Sequence, residues 1–334
     1  MISFKGLFAV VAALIANSVA AQPNHLLKIA TLAPEGSSWA DVLRTIDADV
    51  RRETGDNVGF KIYPGGVQGD EKVVLRKMRI GQLHGGNFGG QGVSQTLPDV
   101  LALQMPFLFD SYAEVDCVLE KMDAFYRQGY EERGYVFLGW ADIGFVHILS
   151  QQPIATVEDM RAQKVWQLPD EPLTSVLFRL AGVTSVPLNI PDVLLGLQTN
   201  LIDVVYASPA ATIVLQWFTR AKYVTQLPIN YTLGALLIDK RSFDKIPAED
   251  REHIHRIARQ HMADLNQRNR RENDEAMTVL QANGLSLVEV NPEDIETFKG
   301  LVASSEAELV GRAFSREAHE QIARHLQDFR RTPP

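Results

Sequence analysis

Residues 247–283 read PAEDREHIHRIARQHMADLNQRNRRENDEAMTVLQAN, and this stretch decides how the chain is organised. It contains no glycine and no proline after its first residue, and Ile254, Ile257 and Leu265 recur at helical spacing. These features predict one long helix. Its middle, residues 267–274, is almost wholly polar, which is unsuited to a helix inside one core. A helix that bridges two lobes can carry such a patch, since its centre passes the exposed seam between them. In the same way, the charges of residues 268–271 are expected to be solvated, with Glu272 or Asp274 as partners.

The rest of the chain alternates strand and helix patterns. His25–Thr31 reads as a strand, the residues after it place an apolar stripe on a helix that ends at Gly55, and residues 58–62 alternate as a second strand. This β-α-β order predicts a parallel sheet with right-handed crossovers. Further strands are predicted at residues 82–88, 136–140, 145–150, 163–168, 202–206, 233–239 and 285–290. The fold class that follows is α/β, with two lobes and a spine helix.

Composition narrows the class of function. The chain has 334 residues, 46% hydrophobic and 22% charged, which is ordinary for a globular protein and long enough for two lobes. Its net charge of −8, without a basic block, argues against nucleic-acid binding, because that affinity rests on phosphate neutralisation.

The start of the chain indicates export. Residues 1–21 combine one positive charge at Lys5, an apolar run over residues 7–16, and small residues before position 22. This is the pattern of a cleaved secretory signal peptide, and its apolar run is too short to span a bilayer. The predicted location is the periplasm.

Five further segments follow one another in a recognisable order. They are LKIATLAPEGSSW (27–39), YPGGVQGDEKVVLRKMRIGQL (63–83), MPFLFDSYAEVD (105–116), GFVHILSQQPIATVEDMRAQKVW (144–166) and LQTNLIDVVYASP (197–209). Together they resemble the solute-binding proteins of tripartite ATP-independent periplasmic (TRAP) transporters, over roughly residues 26–300. The resemblance implies a bilobal periplasmic binding protein: two sheet-and-helix lobes, a ligand cleft that closes on binding, and a long spine helix. It implies no enzyme activity and no cofactor.

The resemblance also suggests a division of the chain. Residues 22–143 and 232–271 are expected to form the first lobe, and residues 144–231 and 272–334 the second, with the spine helix at about 247–283. The expected partners are a small-molecule ligand and the small and large TRAP membrane subunits. A separate helical periplasmic protein is a further partner, because some divergent family members with apolar pockets work with one.

The departures from the family pattern gather in the expected pocket. The family's clamp strand reads Lys-Ile/Val-Arg-Val-Pro, and its arginine forks onto a substrate carboxylate; here Trp166 stands in that place. A second family arginine, in a Gly-Phe-Arg strand, maps to Val146. The Glu-Asn-Pro segment of the family reads Tyr206-Ala-Ser-Pro209. Because a buried carboxylate needs a charged or well hydrogen-bonded partner, this concerted change predicts a neutral or largely hydrophobic ligand.

The candidate ligand-binding residues follow from this hypothesis. Trp166 forms one wall with Phe88, Val146 and Tyr206 around it, and Gln167, Asn189 and Ser208 supply polar contacts. Ser37 and Trp39 come from the first ligand loop, and Gly90 from the glycine-rich run GGNFGGQG (85–92). The alternative places Trp166 in a lobe core and lets another cation, Arg161 or Lys164, hold a carboxylate.

Other chemistry finds little support in the sequence. His253, His255 and His261 splay around one helix rather than meeting at i and i+4, so no metal site is predicted. No serine lies in a Gly-x-Ser-x-Gly elbow, and no catalytic residue is assigned. A periplasmic hydrolase or isomerase on the same scaffold, and a carrier or sensor without a transporter, remain as alternatives.

Overall fold

A computed structural model describes residues 23–331 of the chain. The predicted signal peptide, residues 1–21, lies outside the described residues. The strands are β1 His25–Thr31, β2 Val58–Tyr63, β3 Gly85–Phe88, β4 Tyr135–Ser150, β5 Val165–Gln167, β6 Ser185–Pro187, β7 Val204–Ala207, β8 Tyr223–Thr225, β9 Asn230–Asp239 and β10 Ser286–Val288.

The strands are connected by α-helices and two short 3-10 helices. The α-helices are α1 Ser38–Glu53, α2 Glu71–Arg79, α3 Gly90–Thr96, α4 Tyr112–Lys121, α5 Asp123–Glu132, α6 Val157–Arg161, α7 Pro172–Ala181, α8 Ile190–Gln198, α9 Pro209–Val214, α10 Lys240–Phe243, α11 Ala248–Ala282, α12 Pro292–Leu309 and α13 Arg316–Arg331. The 3-10 helices are Pro98–Gln104 and Trp217–Arg220. Within residues 23–331, no helix is both long and apolar enough to cross a membrane.

The sheet of the first lobe has the order β2-β1-β3-β9-β4. Strands β1, β2 and β3 pair in parallel, as their β-α-β order predicts. Strand β9 pairs antiparallel with both β3 and β4, so the predicted parallel pairing holds for β1, β2 and β3 but not for the rest of the sheet. The β-α-β rule applies only to strands joined by a crossover helix. Strand β9 instead follows β8 and enters this sheet from the second lobe.

Strand β4 connects the two lobes. The sequence predicts separate strands at residues 136–140 and 145–150, but the structure has one strand, with register shifts between Phe137 and Gly139 and between Asp142 and Gly144. Beyond the second shift β4 pairs with β7, and β7, β5 and β6 form the parallel part of the second lobe's sheet. Strand β8 pairs with the end of β4 and with β10. Strands β6 and β8 have only three residues each, too few for an alternating pattern to reveal them.

Apolar clusters cover both faces of the first lobe's sheet. One cluster joins α1 and α11 to the sheet through residues such as Leu43 and Ile257, and the other includes the buried Tyr126 and Tyr130. Helix α13 contributes Ile322 to this second cluster and packs against α4. The last helix therefore lies on the first lobe, whereas residues 272–334 were expected in the second. The division of the chain into lobes otherwise stays a prediction.

The long helix is present as α11, but its polar centre has a different role from the one predicted. Asn269 and Asn273 are buried rather than exposed at a seam. Asn269 donates to the carbonyl of Asp142 at 2.7 Å, and Asn273 to that of Ile143 at 2.9 Å. Because a bulge disrupts strand pairing, its backbone groups need other partners, and these side chains supply them.

Arg270 adds ion pairs to these hydrogen bonds between α11 and β4. It donates to the carboxylate of Asp142, which is 1% exposed, at 2.6 Å and pairs with Asp116 at 2.5 Å. Its guanidinium also lies 4.6 Å from the centre of the Tyr112 ring. The prediction of solvated charges is therefore right for Arg268, which pairs with Glu272 on the surface, and wrong for Arg270.

Replacing Arg270 by glutamine tests this attachment. We expect Arg270→Gln to lower the free energy of unfolding by about 3 kcal/mol, because it leaves the buried carboxylate of Asp142 without its cation. The matched control, Arg268→Gln on the same helix, should cost less than about 1 kcal/mol, since its pair with Glu272 is exposed. Denaturant unfolding of both variants measures the difference, and equal losses would contradict the role assigned to Arg270.

Candidate functional site

A cavity of about 250 Å³ lies between the two lobes, with a mostly apolar lining. The residue at the carboxyl end of β1, Thr31, and Asn87 of β3 line it from the first lobe, and Trp166 of β5 and Tyr206 of β7 from the second. The side of the cavity formed by α11 includes Asn269 and Asn273. The carboxyl ends of parallel strands are where open α/β sheets bind ligands, which makes this cavity the candidate site.

Seven of the ten sequence-predicted residues line this cavity. They are Ser37, Trp39, Gly90, Val146, Trp166, Tyr206 and Ser208. The structure brings them together from both lobes, although their part in binding stays a prediction.

The other three lie elsewhere. Phe88 is 2% exposed and belongs to the first-lobe core. Gln167 follows Trp166 in a strand, so its side chain points to the opposite face, where its amide nitrogen donates to Ser175 and its amide oxygen accepts from Ser185. Asn189 is the residue before α8 and is not part of the cavity lining.

Trp166 is both a cavity wall and a core residue. Its ring centre lies 4.8 Å from that of Tyr206 and 5.1 Å from that of Trp217. Its indole nitrogen donates to the carbonyl of Leu188 at 2.8 Å. Since that N–H is already used, Trp166 presents only an apolar ring face to a ligand.

Charge is distributed asymmetrically around the cavity. Within residues 23–331, no lysine, arginine or histidine is among the lining residues, whereas four carboxylic acids are: Glu71, Asp142, Glu171 and Glu272. Three of them have fixed structural partners, since Asp142 binds Arg270, Glu272 binds Arg268, and Glu171 accepts from two backbone N–H groups at the start of α7. The cavity therefore offers no cation to an anionic ligand.

The two alternative cations named from the sequence lie outside the cavity. Arg161 donates to the carbonyl of Ala181 at 2.5 Å and pairs with Glu158 on the surface. Lys164 donates to the carbonyl of Asn200 and lies 3.6 Å from Asp203. Both side chains hold the second lobe together at its surface.

Glu71, like Glu171, is a lining acid without a cationic partner among residues 23–331. As the first residue of α2 it accepts from the backbone N–H of Gly89 at 2.5 Å and of Gly92 at 2.6 Å. Burial raises the pKa of Glu71 to about 7, and these two hydrogen bonds oppose but do not cancel that effect. The raised pKa favours the neutral form of Glu71, which reduces the negative charge facing the cavity.

Two contacts cross the mouth of the cleft, and the sequence pattern did not reveal them. The side-chain amide of Gln91, in α3, donates to the carbonyl of Pro169 at 2.8 Å. Lys72, in α2, pairs with Asp170. Both join a first-lobe helix to the loop after β5, so these contacts bridge the two lobes.

Two buried amides of the first lobe were also missed. Asn87 and Gln104 line the cavity at 2% and 7% exposure. Within residues 23–331, neither side-chain polar atom of Asn87 has a hydrogen-bond partner, and neither has the amide nitrogen of Gln104. The one signal in the sequence was an asparagine inside the otherwise small and apolar strand GGNF.

The histidines of α11 do not meet, and each of two binds a carboxylate of α1. His261 lies 2.6 Å from Asp49, and His253 lies 3.2 Å from Glu53. Among the described residues, no cluster of three or more histidine, cysteine, aspartate or glutamate side chains could hold a metal ion.

Comparison with known proteins gives a family. The model of the bacterial extracellular solute-binding proteins, family 7, matches residues 29–310. A protein of Verminephrobacter eiseniae named solute-binding protein is 25% identical over 309 residues, which cover 91% of this chain and 90% of its own.

Solved structures share the fold. The sugar acid binding protein of Advenella mimigardefordensis, in complex with galactonate, superposes with a TM-score of 0.85 at 17% identity and covers 92% of this chain and 99% of its own. A TRAP periplasmic solute-binding protein of Xanthobacter autotrophicus with bound β-D-galacturonate gives a TM-score of 0.83 at 19% identity, covering 90% of this chain and 99% of its own. At these identities the likeness establishes the bilobal α/β fold.

The raised pKa of Glu71 makes a prediction about stability. Between its ordinary value of 4.5 and about 7, the folded state holds a proton that the unfolded state has released. Stability from this group therefore falls as pH rises through that window. In thermal unfolding of ligand-free protein, we expect the melting temperature of the wild type relative to Glu71→Gln to fall between pH 4.5 and 7.5. The exposed-residue control Glu120→Gln should show no such trend, and a pH-independent difference for Glu71→Gln would contradict the assignment.

Proposed function

We propose that this chain, which belongs to family 7 of the bacterial extracellular solute-binding proteins and is the solute-binding component of a TRAP-type transporter, binds an uncharged, largely apolar small molecule. The ligand occupies the cleft between the lobes, and the receptor closes around it. This sets the chain apart from the two structural neighbours described above, which hold sugar acids.

The observation that carries the proposal is the lack of a cation around the cavity. Among residues 23–331, the lining includes no arginine, lysine or histidine, and the places of the two family arginines hold Trp166 and Val146. A carboxylate removed from water without a cationic or well hydrogen-bonded partner costs several kcal/mol. The four acids of the lining supply no compensating positive charge.

The shape of the second-lobe wall supports the same ligand class. Trp166, Tyr206 and Trp217 form one aromatic cluster at the cavity, and the N–H of Trp166 is already used. Burial also raises the pKa of Tyr206, so its hydroxyl stays neutral. Such a wall gains free energy from an apolar surface rather than from charge.

The biological setting follows from the family. We propose that residues 1–21 direct export and are cleaved, that the receptor works in the periplasm without catalysing a reaction, and that it delivers its ligand to the small and large membrane subunits. The closed cleft retains the ligand until the receptor docks on the membrane subunits.

Matched acids and amides test the ligand class. Ligand-stripped protein is titrated by calorimetry with galacturonate and galactonate, and then with uncharged amides of the same skeletons. We expect no binding of either acid below the millimolar range, since neither finds a cation in the cavity, and tighter binding of the amides. Val146→Arg, which places an arginine where the family has one, should shift the preference toward the acids. Submicromolar binding of an acid by the wild type would overturn the proposal.

The contact between Gln91 and Pro169 makes a prediction about closure. Gln91→Ala removes a part-buried hydrogen bond across the cleft, typically worth about 1 kcal/mol, so we expect roughly five-fold weaker binding of the uncharged galacturonate amide. Small-angle scattering should show a larger radius of gyration for the ligand-free variant than for the ligand-free wild type. Gln163→Ala, in the second lobe away from the cavity, is the control. Unchanged scattering and affinity for Gln91→Ala would exclude this contact as a latch.

A further inference from the structure

Asn87 occupies an unusual position for an amide. It lies in β3, paired with Thr31 of β1 on one side and Leu236 of β9 on the other, near the middle of the first lobe's sheet. The residue is 2% exposed, and within residues 23–331 both its Nδ2 and its Oδ1 are buried without a hydrogen-bond partner. Because both atoms are unpaired, the observation does not depend on which way the amide is oriented.

Gln104 brings a second amide from the first lobe to the cavity lining. It ends the 3-10 helix Pro98–Gln104, and its backbone carbonyl accepts from Asn230 at 3.2 Å. Within the described residues, its Nε2 is buried without a partner. A Cβ on Gly90 would lie 2.7 Å from the Oε1 of Gln104, so a glycine at that position makes room for this side chain.

Each polar group of an unpaired buried amide carries a free-energy cost, because it has lost water without gaining a hydrogen-bond partner. A chain that keeps two such residues on the wall of its binding cavity gains that free energy when a ligand completes their hydrogen bonds. The unpaired nitrogens of Asn87 and Gln104 need an acceptor, and the unpaired oxygen of Asn87 needs a donor.

The chemistry of the missing partner is therefore restricted. A carboxylate accepts but does not donate, so it leaves the oxygen of Asn87 unpaired and places a negative charge beside it. A ketone or ether also only accepts. A carboxamide, including a lactam, imide or urea, accepts at its oxygen and donates at its nitrogen without carrying charge.

We propose that Asn87 and Gln104 form a polar subsite in the first lobe that binds the carboxamide-type head of the ligand. The apolar remainder then packs against Trp166, Tyr206 and Trp217 of the second lobe. This inference rests on the proposed function, because it assigns a chemical class to the uncharged ligand proposed there. The ligand is thus oriented across the cleft, with its head in one lobe and its body against the other.

The first experiment measures stability without ligand. Asn87→Leu replaces an unpaired buried amide by an apolar group of similar shape, so the melting temperature of ligand-stripped protein should stay the same or rise. Asn273→Leu is the matched control, the same substitution at a lining asparagine whose Nδ2 donates to Ile143 and whose Oδ1 accepts from Ala210. The control should lose several degrees. A comparable loss for Asn87→Leu would show that Asn87 has a structural partner, and would overturn the subsite.

The second experiment uses three probes of nearly one shape: benzamide, acetophenone and benzoate. Benzamide donates and accepts, acetophenone only accepts, and benzoate accepts and is charged. Ligand-observed NMR titration of the stripped full-length receptor compares their affinities. We expect benzamide to bind at least ten-fold tighter than acetophenone in the wild type, and the two to bind equally in Asn87→Leu.

The outcomes separate this inference from the proposed function. If benzamide does not bind tighter than acetophenone in the wild type, the carboxamide subsite is excluded whatever benzoate does. If acetophenone equals benzamide and both exceed benzoate, the proposal of an uncharged ligand stands without the subsite. If benzoate binds tightest, both proposals fail. Benzyl alcohol as a fourth probe tests a hydroxyl head, and tighter binding than benzamide would also overturn the carboxamide assignment.

Discussion

The structure depends on how the spine helix replaces the missing strand partner at the bulge of β4. Strand β4 leaves one lobe and enters the other at Asp142 and Ile143, and the side chains of α11 take over the hydrogen bonds of those residues. Gly144 is required there, since its φ of +108° favours glycine and a Cβ would collide with Asn273. The strand, the helix and the cavity wall are thus fixed against each other by one set of amides. At this bulge between the lobes, the side chains of Asn266, Asn269 and Asn273 bond the N–H and carbonyl of Asp142 and the carbonyl of Ile143.

The charge of the cavity is set by the ion pairs that its lining acids make with α11, and not by the net charge of the chain. Asp142 and Glu272 line the cavity, but each is neutralised by an arginine of α11 that is not itself among the lining residues. Glu71 is held by backbone N–H groups and is partly protonated near neutral pH. The acids are consequently structural groups whose partners hold them away from ligand chemistry. What remains for a ligand is an aromatic wall in one lobe and uncharged amides in the other.

Much of the fold could be predicted from the sequence because its signals are local. The long helix followed from the absence of glycine and proline over residues 247–283, and the strands β1, β2 and β5 from alternation and flanking turns. The antiparallel placement of β9 could not be predicted, since it depends on which chain segment returns to the sheet. The role of Arg270 was missed for the same reason: its partners Asp116 and Asp142 lie more than a hundred residues away.

Site residues could be predicted where the family resemblance gives their positions in the strands. They could not be predicted where packing determines which face of a strand a side chain occupies. Trp166, Val146 and Tyr206 line the cavity because their strands are shared with the family, whereas Gln167 faces away since neighbouring side chains of a strand alternate. Phe88 and Asn87 show the limit more sharply. They are adjacent, the apolar one looked like the ligand contact, and the polar one lines the cavity. A sequence gives the alternation of a strand but not which of its two faces a ligand meets.

The return of α13 to the first lobe has a consequence for how the cleft can move. Strands β4 and β9, helix α11 and the segment leading from α12 to α13 all pass between the lobes, so the lobes are joined along several continuous elements rather than by one flexible linker. Because these connections must deform together, we expect bending about the line that they share to be easier than twisting or sliding of one lobe on the other. The two lobes are therefore better described as mechanically coupled than as independent domains joined by a flexible linker. We therefore expect the resistance of these connections to bending, together with the contacts of Gln91 and Lys72 across the cleft, to oppose its opening.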